Sequence, residues 1–316
     1  MLFNSGVFLQ FFAAFLLLYW LVRRQLAARN LLIVAASYVF YGWWDWRFLG
    51  LLAFSSVFDY AVGLGLERVQ APGRRKALLA ASVVCNLTIL GFFKYYDFFV
   101  ASLAGLLTEL GVPFHLRTLG IILPVGISFY TFQSLSYALD VYRRTIAPTR
   151  NLVHFLAFVS FFPQLVAGPI ERAAHLLPQF GQTRRITPDL LREGAWLGLW
   201  GLFKKVVLAD NFAPLVDMVY QGSEFNAPAV LLGTLAFGLQ IYCDFSGYSD
   251  IARGAARLLG FDILFNFHLP YTATNLRAFW QRWHISLSTW LRDYLYISLG
   301  GNRRGRARTY LNLLLT

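Results

Sequence analysis

Two short stretches concentrate the side chains that could move a proton or line a polar passage. The first, residues 279–294, reads FWQRWHISLSTWLRDY. On a helix at about 100° per residue, Trp280, Trp283, Leu287, Trp290, Leu291 and Tyr294 share one face, and Gln281, His284, Ser288 and Arg292 form a polar stripe beside it. Ser288 lies four residues from both His284 and Arg292, so the three are helical neighbours. A histidine in that setting can act as general base or proton relay near neutral pH. The same pattern describes an amphipathic helix lying in a membrane interface, with aromatic anchors and a snorkelling arginine. On residue types alone that reading is the stronger.

The second stretch, residues 240–250, reads QIYCDFSGYSD and follows an apolar run directly. Ionisable groups within a span are costly and mark function. Asp244, Ser246, Gly247 and Asp250 can break the helix and line a polar cavity. Equally, they can mark a helix exit, with Asp244 capping the next helix. His115, His154, His175 and His268 lack metal-ligand spacing and read as loop or packing residues. Cys85 reads as core. Cys243 stands beside Asp244, whose charge would raise a thiol pKa rather than lower it. Asp244, Asp250 and Ser246 offer too few oxygens for a cation site, so no metal is expected. No glycine-rich phosphate loop with its lysine is present.

A membrane must position these groups. Hydrophobic residues make up 57% of the 316 and charged residues 14%, against about 25% charged in soluble domains. Such a chain has too little polar surface for a soluble fold. It is too apolar for disorder, and its two cysteines exclude a disulfide-stapled secreted domain. The net charge of +12 reads as loop charge facing a cytoplasm or anionic lipid, not as a nucleic-acid footprint.

Apolar runs at 7–22, 31–44 and 48–66 predict three spans. Arg23, Arg24 and Arg29 follow the first, and Arg68, Arg74, Arg75 and Lys76 follow the third. The positive-inside rule then places the N-terminus outside the cytoplasm. Nothing basic precedes the first run, so it reads as a retained helix and not a cleaved signal. Residues 77–110 read as two short spans or as one span plus an interfacial helix. One crossing is favoured, because a span at 119–139 then delivers Arg143, Arg144 and Arg150 to the cytoplasm. Residues 152–168 carry Pro163, Gly168 and Pro169 and predict a re-entrant or broken segment. Residues 171–194 read as a cytoplasmic loop with short helices. Residues 195–220 are apolar but interrupted by Lys204 and Lys205. A clean run occupies 229–242, and 258–267 is too short to span alone. An apolar run opens at 310–316 where the sequence stops, which predicts a single domain over 1–316, incomplete at its C-terminus. No internal repeat is visible.

Six blocks in order give the chain a resemblance to the membrane-bound O-acyltransferase family, in its alginate O-acetylation branch. They are PVGISFYTFQ (124–133), FPQLVAGPI (162–170), GLFKKV (201–206), DFSGYSD (244–250), FWQRWHISLSTW (279–290) and GGN (300–302). The resemblance implies an all-α, polytopic transmembrane helical bundle with re-entrant and interfacial amphipathic helices, in the inner (plasma) membrane. It implies an enzyme, an O-acetyltransferase moving an acyl group from a cytoplasmic donor to hydroxyls of an extracytoplasmic polysaccharide such as alginate. The donor is a co-substrate, acetyl-CoA or a carrier-protein thioester, and no bound cofactor is implied. Membrane lipid, the glycan acceptor and a periplasmic or extracellular acetyltransferase are the implied partners.

Of the family's two functional histidines, one matches His284. The other, in a Trp-His-Gly context within a later apolar helix, has no counterpart in residues 1–316. Gln281, Ser288 and Arg292 are candidates to line the channel, with Asp244, Tyr248 and Asp250 in its wall. Ser298 stands where relatives commonly have proline. D-alanyl transfer to teichoic acid on the same fold is the near alternative. A transporter, or a non-catalytic scaffold that hands on an acyl group, is the distant one. A transporter would be supported by inverted repeats.

Overall fold

The computed structural model describes residues 1–112, 118–166, 168–222 and 226–316. Every regular element in them is helical. Helix α1 (Gly6–Val22) starts where Ser5 Oγ accepts from Phe8 N, 3.2 Å away. Helices α2 (Leu26–Gly42) and α3 (Leu49–Arg68) follow. Then α4 (Pro72–Glu109) runs unbroken for 38 residues, with proline at its first position, where no N–H is needed. At 1.5 Å per residue it is about 57 Å long, well beyond the about 30 Å of a hydrocarbon core. The two-span reading of 77–110 is thereby replaced by one continuous helix. Segments Trp46–Arg68, Pro72–Glu109 and Ala227–Leu258 are long and apolar enough to cross a membrane, and α1 and α2 are shorter apolar helices.

Three expectations need correction. The predicted span at 119–139 begins late: α5 covers Ile127–Tyr142, entered through Gly126 at φ +75°. Pro124 disfavours helix in the residue before it, and the preceding backbone is claimed elsewhere. Asp97 on α4 accepts from Leu119 N (2.7 Å) and Ile121 N (2.8 Å). Next, two arginines counted as loop charge are buried. Arg29 lies inside α2, fully enclosed, and donates to the carbonyls of Gln182 (2.8 Å) and Phe180 (3.2 Å). Arg75 donates to the carbonyls of Leu66 and Tyr142, near the C-terminal ends of α3 and α5, where a cation complements the helix dipole. Finally, Glu171 is fully buried, although its stretch reads as solvated loop.

Residues 152–168 are broken as expected. Helices α6 (Leu152–Ser160) and α7 (Phe162–Leu165) meet at an extended Phe161. Backbone freed by such a break must be satisfied inside the protein. Here Phe162 N donates to Ser37 Oγ (3.1 Å). Gln133 and Gln164 both donate to the Phe158 carbonyl (2.6 and 2.7 Å). Phe155, Phe158, Phe161 and Phe162 are enclosed, and with Phe8, Phe15 and Phe40 they form the aromatic core.

Helix α8 is Ala173–Phe180 and α9 is Pro188–Leu202. A π-helical stretch, Phe203–Ala209, joins α9 to α10 (Asp210–Tyr220), and α11 spans Ala227–Leu258. Helices α9 and α11 cross backbone to backbone. A Cβ on Gly254 would sit 2.6 Å from Gly198 N, and one on Gly201 2.6 Å from the Gly247 carbonyl. Small residues permit this approach between membrane helices.

Candidate functional site

The tryptophan-rich stretch is not one helix. Helix α12 (Leu276–Trp280) is capped by Asn275 Oδ1, which accepts from Ala278 N (2.9 Å). The chain then leaves helical geometry until α13 (Ile285–Trp290), which runs into a π-helical turn, Leu291–Tyr296. At the break His284 sits at φ +43°, the left-handed region, which few non-glycine residues occupy. The non-helical segment after α11 holds the break open. His268 N donates to the Arg282 carbonyl (2.9 Å), and the Asn266 carbonyl accepts from Ile285 N (2.9 Å).

The expected polar stripe therefore does not exist as one face. Gln281 precedes the break and is exposed. Ser288 lies one turn beyond it and donates its hydroxyl to the Trp283 carbonyl (3.1 Å). Arg292 is exposed and paired with Asp293 (2.6 Å). His284 stands apart from them. Its ring meets Phe245 of α11 edge-on at 4.7 Å between centroids, and its Nε2 is buried with no hydrogen-bond partner among the described residues. Burial pushes its pKa down to about 4, so the imidazole is neutral at physiological pH and one nitrogen has a free lone pair.

The 240–250 stretch also departs from both expectations. Helix α11 passes through Asp244 and Asp250 without a break, and Asp244 caps nothing. The charges are tolerated because the π-helical stretch turns two successive lysines toward them. Lys205 Nζ lies 2.6 Å from Asp244 and 2.7 Å from Asp210. Lys204 Nζ lies 2.7 Å from Asp250 and 3.0 Å from Ser246 Oγ. Tyr248 faces the segment before α1, donating to Asn4 Oδ1 (3.3 Å). Asp244 and Asp250 are thus ion-pair partners. The sequence signal for this was present: two lysines and two aspartates, each set inside an apolar run.

Two further clusters fix the surroundings. The Tyr294 hydroxyl lies 2.9 Å from both Asp140 oxygens, and Arg143 and Arg172 each sit 5.3 Å from its ring. Arg172 also pairs with Asp293 (2.7 Å). Ser298 accepts from Arg143 (2.8 Å) and donates to the Tyr294 carbonyl (2.7 Å), so its side chain ties the turn down.

The second cluster centres on His175, which the sequence reading set aside. Its Nδ1 is 2.9 Å from buried Glu171 and its Nε2 3.4 Å from Asp262. Hydrogen bonds to Asp262 and Glu171 raise its pKa to about 10, so both nitrogens carry protons and it is no base. Because the folded value exceeds the ordinary 6.5, this charge stabilises fully below pH 6.5 and its contribution is lost as pH rises through about 10. The melting temperature of detergent-solubilised protein is expected to fall over that window. His175→Gln should melt lower than wild type at about pH 7 and lose part of the fall. An identical pH slope in the variant would remove the charged assignment.

His115 lies outside the described residues. Among the described residues, no group of three or more His, Cys, Asp or Glu side chains could hold a metal.

Residues 143–316 match the profile of the membrane-bound O-acyltransferase (MBOAT) family. The chain is similar to the probable alginate O-acetylase AlgI of Azotobacter vinelandii, 49% identical over 100% of this chain and 63% of that protein. It is similar to the peptidoglycan O-acetyltransferase of Helicobacter pylori, 36% identical over 100% of this chain and 65% of that protein. The teichoic acid D-alanyltransferase of Streptococcus thermophilus is 30% identical over 55% of this chain and 44% of that protein. The chain spans less than two thirds of the length of these relatives.

Proposed function

The chain belongs to the membrane-bound O-acyltransferase family, and from that premise we propose that the whole protein transfers an acetyl group from a cytoplasmic thioester to hydroxyls of an extracytoplasmic polysaccharide such as alginate. The observation that carries a chemical role is His284: a neutral, half-buried imidazole whose enclosed Nε2 has no partner among the described residues. Such a nitrogen can accept the acceptor's hydroxyl proton or pass it on. The alkoxide oxygen then bonds to the acyl carbonyl carbon, the carbon–sulfur bond breaks, and the thiolate leaves with its electron pair and takes up a proton. Donor groups must meet the developing oxyanion. Gln281, exposed, and Ser288, half-buried, lie three and four residues from His284 and are proposed for the channel lining. Arg292, Asp244 and Asp250 carry their own ion partners, so their proposed part is to hold the wall's shape, with Tyr248 between the aspartates.

Acetyl transfer is preferred over D-alanyl transfer because the O-acetyl relatives match the whole chain at higher identity, whereas the D-alanyl relative matches about half. In this reading the N-terminus faces outward. The donor is acetyl-CoA or a carrier-protein thioester, and a periplasmic or extracellular acetyltransferase completes delivery. The test is to delete the full-length gene and restore it on a plasmid, measuring ester-linked acetate and D-alanine on the purified exopolysaccharide and cell wall. Acetate that disappears and returns with the gene supports the proposal. Unchanged acetate, or loss of D-alanine esters instead, overturns it.

A further inference from the structure

We propose that Asn266 is a positioning residue that acts through His284, by capping α13 from outside and so holding the histidine in its left-handed backbone conformation. The inference rests on the acyl-transfer reading of His284.

A helix leaves its first N–H groups without internal partners, and the residue at the cap normally supplies an acceptor from its own side chain. At α13 that residue is His284, which makes no such bond. Asn266 supplies what is missing. Its main-chain carbonyl accepts from Ile285 N (2.9 Å), and its side-chain Oδ1 accepts from Ser286 N (3.3 Å) and Ser286 Oγ (2.6 Å). Its Nδ2 donates to Ser249 Oγ on α11 (3.3 Å), and Ser286 Oγ accepts from Ile170 N (3.0 Å). Asn266, Ser286 and Ser249 are all almost completely buried. The Asn266 and Ser286 side chains together therefore tie α11, the start of α13 and the 168–170 loop around the break.

This arrangement has a consequence for the imidazole. A left-handed non-glycine residue persists only where its surroundings over-determine it, and Asn266 fixes the two residues that follow. Because capping is done by Asn266, the His284 side chain is free to turn toward Phe245, leaving Nε2 unpaired. Without the clamp, the backbone at 284 relaxes toward ordinary geometry and carries the ring away from the position where it is buried.

The experiment uses the full-length protein in inverted membrane vesicles, with acetyl-CoA outside and polysaccharide within. Asn266→Ala is expected to lower kcat at least about 30-fold with KM for acetyl-CoA within about twofold, the split left when a transition-state contact is lost. The acid limb of kcat should also move up toward the ordinary histidine value of about 6.5 as water reaches the ring. Ser286→Ala removes one hydroxyl and keeps the fold if Asn266→Ala does not accumulate. It should lower kcat about tenfold, since the hydroxyl's bonds to Asn266 Oδ1 and Ile170 N are lost while Asn266 Oδ1 keeps Ser286 N, with the same direction of pH shift. A variant that accumulates normally with wild-type kcat and pH profile overturns the proposal. So does a loss confined to protein amount in both. If wild-type vesicles transfer no acetate, or His284→Ala leaves transfer intact, it is the acyl-transfer reading of His284 that has failed.

Discussion

Replacing His284 with asparagine in the full-length protein is expected to cut acetate transfer by about 10²–10⁴-fold, the range for loss of a positioned acid–base group, with no loss of protein from the membrane. Asparagine is the informative choice because it visits left-handed backbone more readily than most residues, so the strain at φ +43° is not made worse. Little stability should be lost, since Nε2 makes no hydrogen bond that the substitution could break. Histidine to alanine should be as inactive and slightly less stable, having left a gap beside Phe245. The pH profile offers a second check. The base works unprotonated, and burial holds its pKa near 4. Wild-type kcat should therefore be insensitive to this group from about pH 5 upward and fall below that as the ring takes a proton. A variant that keeps wild-type transfer, with normal protein in the membrane, would remove His284 from the chemistry.

How His284 is held was not legible in the sequence, although its setting among tryptophans was. Helical periodicity assumes that each N–H bonds four residues back. At the break the neighbouring chain competes for those groups: His268 N–H takes the Arg282 carbonyl and the Asn266 carbonyl takes Ile285 N–H, 14 and 19 residues apart in sequence. Periodicity carries no information about such a competitor. The long elements fared better, because apolar length is a local property. Runs at 7–22 and 48–66 fall within a few residues of α1 and α3. The run at 229–242 marked only part of α11, which continues to Leu258 past Asp244, Asp250 and Arg253. Those charges end an apolar window yet leave the helix intact, since Lys204 and Lys205 answer the two aspartates from the π-helical stretch between α9 and α10. Arg29, Arg75 and Glu171 failed for the converse reason: each reads as loop charge until a carbonyl or a backbone amide from a distant segment meets it.

The Lys204–Asp250 pair should show a stability asymmetry that a surface pair would not. Lys204 is nearly buried, and its partners are Asp250 and Ser246. Removing the carboxylate with Asp250→Ala leaves an ammonium facing one hydroxyl, and breaking such a pair typically costs about 3–5 kcal/mol. Removing the lysine with Lys204→Met is milder, because Arg253 already stands 3.6 Å from Asp250 and remains as its counter-charge. The double variant Lys204→Met/Asp250→Leu takes both charges out of a low-dielectric crossing. It should melt above Asp250→Ala, since an apolar replacement of a buried pair is often neutral or better. Thermal unfolding in detergent, read by size-exclusion fluorescence, orders the three. Additive losses in the double variant would mean that the groups are solvated and independent. The ordering bears on function as well as stability. Helix α11 carries this pair on the same turns as Phe245 and Ser249, which touch His284 and Asn266. A crossing loosened by an orphaned lysine should therefore lower kcat along with the melting temperature, and the double variant should recover both.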